Sequence, residues 1–132
     1  MSIPYRKVLY VDDDVDACEM MVSWLGKDHD DMTVITAHSA GKARELISGT
    51  SFDLFILDAR LPDETGWDLC RQIRKTDRET PVLIYSGMSD NNDRKIAMDA
   101  GADAFLVKPN DLETLSPTVR QLLRRRAVAA AS

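Results

Sequence analysis

Short apolar runs alternate with longer segments of helical period along the whole chain. The runs are KVLYV (7–11), TVITA (33–37), FDLFIL (52–57), PVLIY (81–85) and AFLVK (104–108). Several lack polar alternation and are rich in Val, Ile, Leu and Phe, as expected of strands covered on both faces. Between them, Cys18, Met21, Val22 and Leu25 keep the spacing of one helix face. Ala40, Ala43 and Ile47 repeat it with Leu46 beside them, and Gly66, Leu69, Cys70 and Ile73 repeat it again. Segment 90–100 is more polar, yet Ile96, Ala97 and Ala100 still form a narrow stripe. Ser39 and Ser89 are expected N-caps, and Gly49 and Gly101 expected helix stops. Five strands interleaved with helices predict an α/β fold with a parallel sheet between two helical layers.

The last helical region, DLETLSPTVRQLLRRR, contains Pro117, which is unfavourable inside a helix. Ser116 as N-cap with Pro117 at the first helical position would accommodate it, leaving 111–115 as a separate turn. A single kinked helix is the alternative.

With 132 residues the chain is long enough for one domain with its own core. Residues 1–126 contain no internal repeat or low-complexity linker and are expected to form that domain, with AVAAAS (127–132) as a tail or linker stub. The formal net charge of −5 argues against a general nucleic-acid or anionic-membrane binder. Arg124, Arg125 and Arg126 form too short a basic run to change that. Cys18 and Cys70 stand far apart without metal-ligand spacing, as buried thiols in a reducing compartment would. No leader-like segment or long apolar span is present, so a cytoplasmic location is expected.

Ligands of open parallel sheets bind at the carboxyl ends of the strands. Strand one ends at Asp12, Asp13 and Asp14; strand three at Asp58; strand four at Ser86 and Gly87; strand five at Lys108 and Pro109. Strand two ends at His38 and Ser39, which add no obvious chemistry. Each feature alone has a structural explanation: acids at a helix start favour its dipole, and single polar residues after strands form turns. Together they suit one task. Clustered carboxylates favour Mg²⁺, a hard ion that takes oxygen ligands and retains water. Asp58 beside that metal could act as a nucleophile toward phosphorus, with Lys108 adding positive charge and Ser86 a hydroxyl donor.

The stretches VLYVDDD (8–14), FDLFILDARLPDETGWDL (52–69), VLIYSG (82–87) and GADAFLVKP (101–109) resemble the receiver domain of two-component response regulators. That family includes the bacterial chemotaxis regulator. Pro62 and Gly66 stand four and eight residues after Asp58, as in the family's loop after the phosphorylated strand. The resemblance implies a flavodoxin-like, doubly wound five-stranded parallel sheet in the order 2-1-3-4-5. It implies Asp58 as phosphoacceptor, and Asp12, Asp13, Asp58 and the Arg60 backbone carbonyl as the Mg²⁺ site. Ser86 and Lys108 match the family's hydroxyl and lysine positions, and Phe105 matches its aromatic switch position. Asp14 is expected to cap the first helix.

The implied function is that of a signalling switch rather than a conventional enzyme. A histidine kinase or histidine phosphotransfer protein would supply the phosphoryl group. A surface of helix four, strand five and helix five would then engage a downstream protein or an output domain, as a monomer or a phosphorylation-dependent dimer. Asn110 and Pro117 depart from the family pattern near that surface, and Arg60 and Met88 occupy variable positions beside the site. A phosphorylation-independent binding module is the first alternative. A haloacid-type phosphatase is the second: Asp12 and Asp14 make its DxD, but the Asp58 loop has no role in that scheme. A P-loop or flavodoxin-type binder lacks its phosphate-cradling loop here.

Overall fold

A computed structural model describes residues 6–28, 31–87, 91–108 and 111–131. Five strands and five helices alternate: β1 (Arg6–Val11), α1 (Val15–Asp28), β2 (Met32–Ala37), α2 (Ala40–Gly49), β3 (Leu54–Leu57), α3 (Gly66–Thr76), β4 (Val82–Ser86), α4 (Asn91–Asp99), β5 (Ala104–Val107) and α5 (Leu112–Ala131). The sheet order is β2-β1-β3-β4-β5 with every pairing parallel, as the resemblance implied.

Alternate strand residues face opposite helical layers. Val8 and Tyr10 of β1, Leu54 and Ile56 of β3, and Leu83 and Tyr85 of β4 join Cys18, Met21 and Leu25 of α1 and Leu115, Val119 and Leu122 of α5. Leu9, Val11, Phe55, Leu57, Val82 and Ile84 face the other way, against Ala40, Ala43, Leu69, Cys70, Ile73, Ala97 and Ala100. Burial on both faces is why the strand segments carry so few polar residues. Each large aliphatic side chain so buried contributes about 1.5–3 kcal/mol before the cost of ordering it.

Two expected caps are in place. The Asp14 carboxylate accepts the amides of Asp16 and Ala17 at 3.0 and 3.3 Å, and Ser39 Oγ accepts the Lys42 amide at 3.1 Å. Helix α2 ends at Gly49, and Gly101 follows α4 with a φ of +106° that favours glycine. Ser89, Met88 and Asn110 lie outside the described residues.

The division of the last region at Ser116 is corrected: α5 is one helix with Pro117 inside it. Leu115, Ser116, Val119, Leu122 and Leu123 are all buried, so one apolar stripe runs through the proline. Burial of that stripe outweighs the single backbone hydrogen bond that Pro117 cannot donate. Pro117 itself is exposed. Strand β3 is also shorter than its apolar run, because Asp53 is spent outside the strand: its carboxylate accepts the Lys7 amide at 2.9 Å. Among the described residues, no helix is long and apolar enough to cross a membrane.

Candidate functional site

The sheet order makes β1 and β3 neighbours, with Val11 opposite Leu57. The residues that follow these two therefore emerge side by side at the carboxyl edge. The Asp58 amide donates to the Val11 carbonyl at 2.9 Å, which fixes the offset between the two strand ends. Asp12, Asp13 and Asp58 each present a carboxylate oxygen within 4.8 Å of the others. Asp12 is buried, Asp58 half-buried and Asp13 exposed, so the cluster opens to solvent on the Asp13 side.

Lys108 crosses from the end of β5 to this cluster. Its Nζ lies 2.7 Å from Asp12 Oδ2 and 3.7 Å from Asp58 Oδ2. The Lys108 amide donates to the Ser86 carbonyl at 2.7 Å, locking the ends of β4 and β5 together. Ser86 is buried at the end of β4, and Phe105 is buried on β5 with the Arg94 guanidinium carbon 5.1 Å from its ring centroid. Asp14, by contrast, turns away into its capping role and is not part of the cluster.

The loop after β3 is held from three sides. Arg60 and Thr65 form an antiparallel bridge, and the Leu61 amide donates to the Glu64 carbonyl at 3.1 Å. The Gly66 amide donates to Ala59 at 2.8 Å, and a Cβ on Gly66 would lie 2.1 Å from the Asp58 carbonyl oxygen. Only glycine admits that approach. The tip of the loop is fastened to α2, where the Asp63 carboxylate accepts the Ala40 and Gly41 amides at 3.0 and 2.9 Å. Glu64 pairs with Arg44 of α2 and Gln72 of α3. At the loop's base the Arg60 amide stands 3.5 Å from Asp58 Oδ1.

Burial, the Lys108 ammonium and the Asp12 and Asp58 carboxylates set the charge states of the site. For Asp12, burial favours the neutral acid, but hydrogen bonds from Lys108, the Asp14 amide and the Tyr10 hydroxyl outweigh it and hold the group below the usual carboxylate range. For Asp58, burial raises the pKa, Lys108 opposes it, and the Asp12 charge adds to the rise; the net shift is upward. Burial tends to discharge Lys108, yet the Asp12 hydrogen bond and the two aspartate charges raise its pKa, so it stays an ammonium. Asp12 is therefore the anion that Lys108 neutralises, and Asp58 is the carboxylate left short of positive charge. An all-oxygen cluster of this kind, short of one cation and open to water on one side, fits a hard divalent ion such as Mg²⁺.

Tyr10 is the residue that the pattern of strands and helices does not single out. Its hydroxyl donates to Asp12 Oδ2 at 2.8 Å. The available signal was a phenol inside an aliphatic strand, two residues before Asp12 and hence on the same side of β1. The roles of Asp63 and Thr65 were also not evident; Thr65 Oγ1 accepts the Asp68 amide at 3.2 Å and caps α3.

Residues 8–120 match the family model described as the response regulator receiver domain. The chain is 33% identical over 120 residues to the response regulator ArlR of Staphylococcus saprophyticus, covering 91% of this chain and 53% of that protein. It is 36% identical over 119 residues to the response regulator MprA of Mycobacterium ulcerans, covering 90% of this chain and 50% of that protein. The chain thus spans about half the length of these curated relatives. Among solved structures, the BeF3-activated N-terminal receiver domain of Klebsiella pneumoniae RstA superposes with a TM-score of 0.83 at 27% identity, covering 90% of this chain and 99% of that one. With the strand order, the acid cluster and a family match over nearly the whole domain in agreement, this chain belongs to the response regulator receiver domains of two-component signalling.

Proposed function

We propose that this receiver accepts a phosphoryl group on Asp58 from a phosphohistidine of a histidine kinase or phosphotransfer protein, with Mg²⁺ held by Asp12, Asp13, Asp58 and the Arg60 carbonyl. The observation that carries the reading is the meeting of three carboxylates that follow β1 and β3 with the Lys108 ammonium that follows β5. Bound Mg²⁺ supplies positive charge that offsets repulsion between the aspartates and the incoming phosphoryl oxygens. Asp58 is the acceptor because it is partly accessible and lacks the close ion pair that occupies Asp12.

In the transfer, an Asp58 carboxylate oxygen bonds to phosphorus as the phosphorus–nitrogen bond to histidine breaks, and the imidazole nitrogen keeps the bonding electron pair. The product is an acyl phosphate. Lys108 contributes its ammonium to the new phosphoryl oxygens, and the Ser86 hydroxyl donates to one of them. Phe105 and the α4–β5–α5 face then follow Ser86, shifting a pre-existing equilibrium toward the form that engages a downstream protein or an output domain. Hydrolysis of the acyl phosphate returns the switch to its starting state. The cytoplasm is the compartment in which such a phosphorelay and two buried free thiols are both at home.

The test is intact-mass measurement after incubation with acetyl phosphate and Mg²⁺, comparing the wild type with Asp58→Asn. The expected result is an adduct of about 80 Da on the wild type alone, the mass of a phosphoryl group. Labelling that persists in Asp58→Asn would assign the acceptor to another residue.

A further inference from the structure

The Tyr10 hydroxyl and the Lys108 ammonium reach the same oxygen, Asp12 Oδ2, at 2.8 and 2.7 Å. The other oxygen of that carboxylate, Oδ1, accepts the Asp14 amide at 3.0 Å. Asp12 is only 1% exposed, so water does not substitute for a donor that leaves. This creates a conflict for the reaction proposed above. Lys108 sits 1.0 Å closer to Asp12 than to Asp58, yet it has to serve a phosphoryl group carried by Asp58. If Lys108 were the only donor to Oδ2, its departure would leave that buried oxygen without a hydrogen bond, which is costly.

From this geometry we infer that Tyr10 is a positioning residue for phosphoryl transfer: its hydroxyl keeps Asp12 Oδ2 hydrogen-bonded when Lys108 turns toward the phosphoryl group on Asp58. The inference rests on the assignment of Asp58 as acceptor. Tyr10 touches neither Asp58 nor the phosphoryl oxygens in this scheme and acts through Asp12 and Lys108. A tyrosine phenol is ordinarily protonated at neutral pH and so is able to donate. The ring is buried beside α1 and α5, with Met21, Leu25 and Leu115 in the same cluster. The hydroxyl is therefore already bonded to Asp12 before the reaction begins.

Tyr10→Phe tests the idea with little disturbance of packing, because the phenyl ring occupies the same space. Two quantities are measured on the full chain: the rate constant for phosphorylation by acetyl phosphate, followed by intact mass, and the Mg²⁺ dissociation constant by calorimetry. Loss of a hydrogen bond to a charged group predicts a rate about tenfold lower in Tyr10→Phe. The Mg²⁺ dissociation constant is expected to move by a smaller factor than the rate, since among the proposed ligands only Asp12 loses a hydrogen bond while Asp13, Asp58 and the loop carbonyl are untouched. An unchanged rate overturns the inference. Equal losses in rate and Mg²⁺ affinity also overturn it, because they would mean that Tyr10 merely shapes the acid cluster. Failure of the wild type itself to label would instead overturn the assignment of Asp58, and the two failures are distinguishable.

Discussion

At the scale of single residues, the site is a problem of distributing too little positive charge among too many carboxylates. Lys108 resolves it by siding with Asp12, and the cost falls on Asp58, whose pKa is raised by burial and by the Asp12 charge. An acid whose pKa is raised by folding favours the folded state while it is protonated. That contribution is fully present below the ordinary carboxylate range, near 4, and is lost as pH rises through the raised value. Ionised Asp58 is thus a liability in the metal-free protein at neutral pH. Asp58→Asn is expected to raise the melting temperature of the metal-free protein at pH 7, and the advantage should shrink as pH falls through the raised pKa. A variant that melts lower than wild type at pH 7 would show that Asp58 is held as a stabilising anion instead. Most residues of this cluster were legible in the sequence, because an acid, a hydroxyl or an amine directly after an apolar run has few other reasons to be there. Tyr10 was not, because a tyrosine in a strand is usually core, and only its neighbour across two residues shows what the hydroxyl is for.

At the scale of elements, α5 is where local preference and tertiary packing disagree. Its sequence offers a cap at Ser116 and a favourable first position for Pro117, but Leu112, Leu115, Val119 and Leu122 form one face against the sheet. Continuous burial holds the helix together across the proline. Replacing Pro117 by Ala restores a backbone donor and removes a clash with the preceding turn, worth about 3 kcal/mol in a helix interior, less up to about 1 kcal/mol for the freer unfolded chain. Pro117 is exposed and stands near the helix start, so a gain of about 1–2 kcal/mol is expected in urea denaturation. A loss of stability would mean that the proline's fixed geometry suits α5. The β3–α3 loop shows the opposite case, in which local chemistry and packing agree. Its internal bridge, the Thr65 cap and the Gly66 approach all hold the backbone around Asp58, and Asp63 fastens its tip to α2.

At the scale of the whole molecule, the strand order makes neighbours of four strand ends that are distant in sequence. A divalent cation bound there adds its binding free energy to folding, because the unfolded chain has no preformed cluster. At roughly a hundredfold excess over its dissociation constant, Mg²⁺ is expected to stabilise the fold by about 2.7 kcal/mol, read as a higher melting temperature that a chelator reverses. A melting temperature indifferent to Mg²⁺ in the wild type would remove the metal from the scheme. The alternation of apolar runs with helical stripes determined the α/β class, the helix caps at Asp14 and Ser39, and the identity of most polar residues at the strand ends. These follow from local spacing, which a chain carries in its sequence. The strand order β2-β1-β3-β4-β5 came from the family resemblance rather than from local spacing, whereas the choice of Asp12 over Asp58 as the partner of Lys108, the continuity of α5 through Pro117 and the donor role of Tyr10 were decided only in the tertiary structure. Each depends on which residues distant in sequence become neighbours, and on distances and burial that exist only once they do.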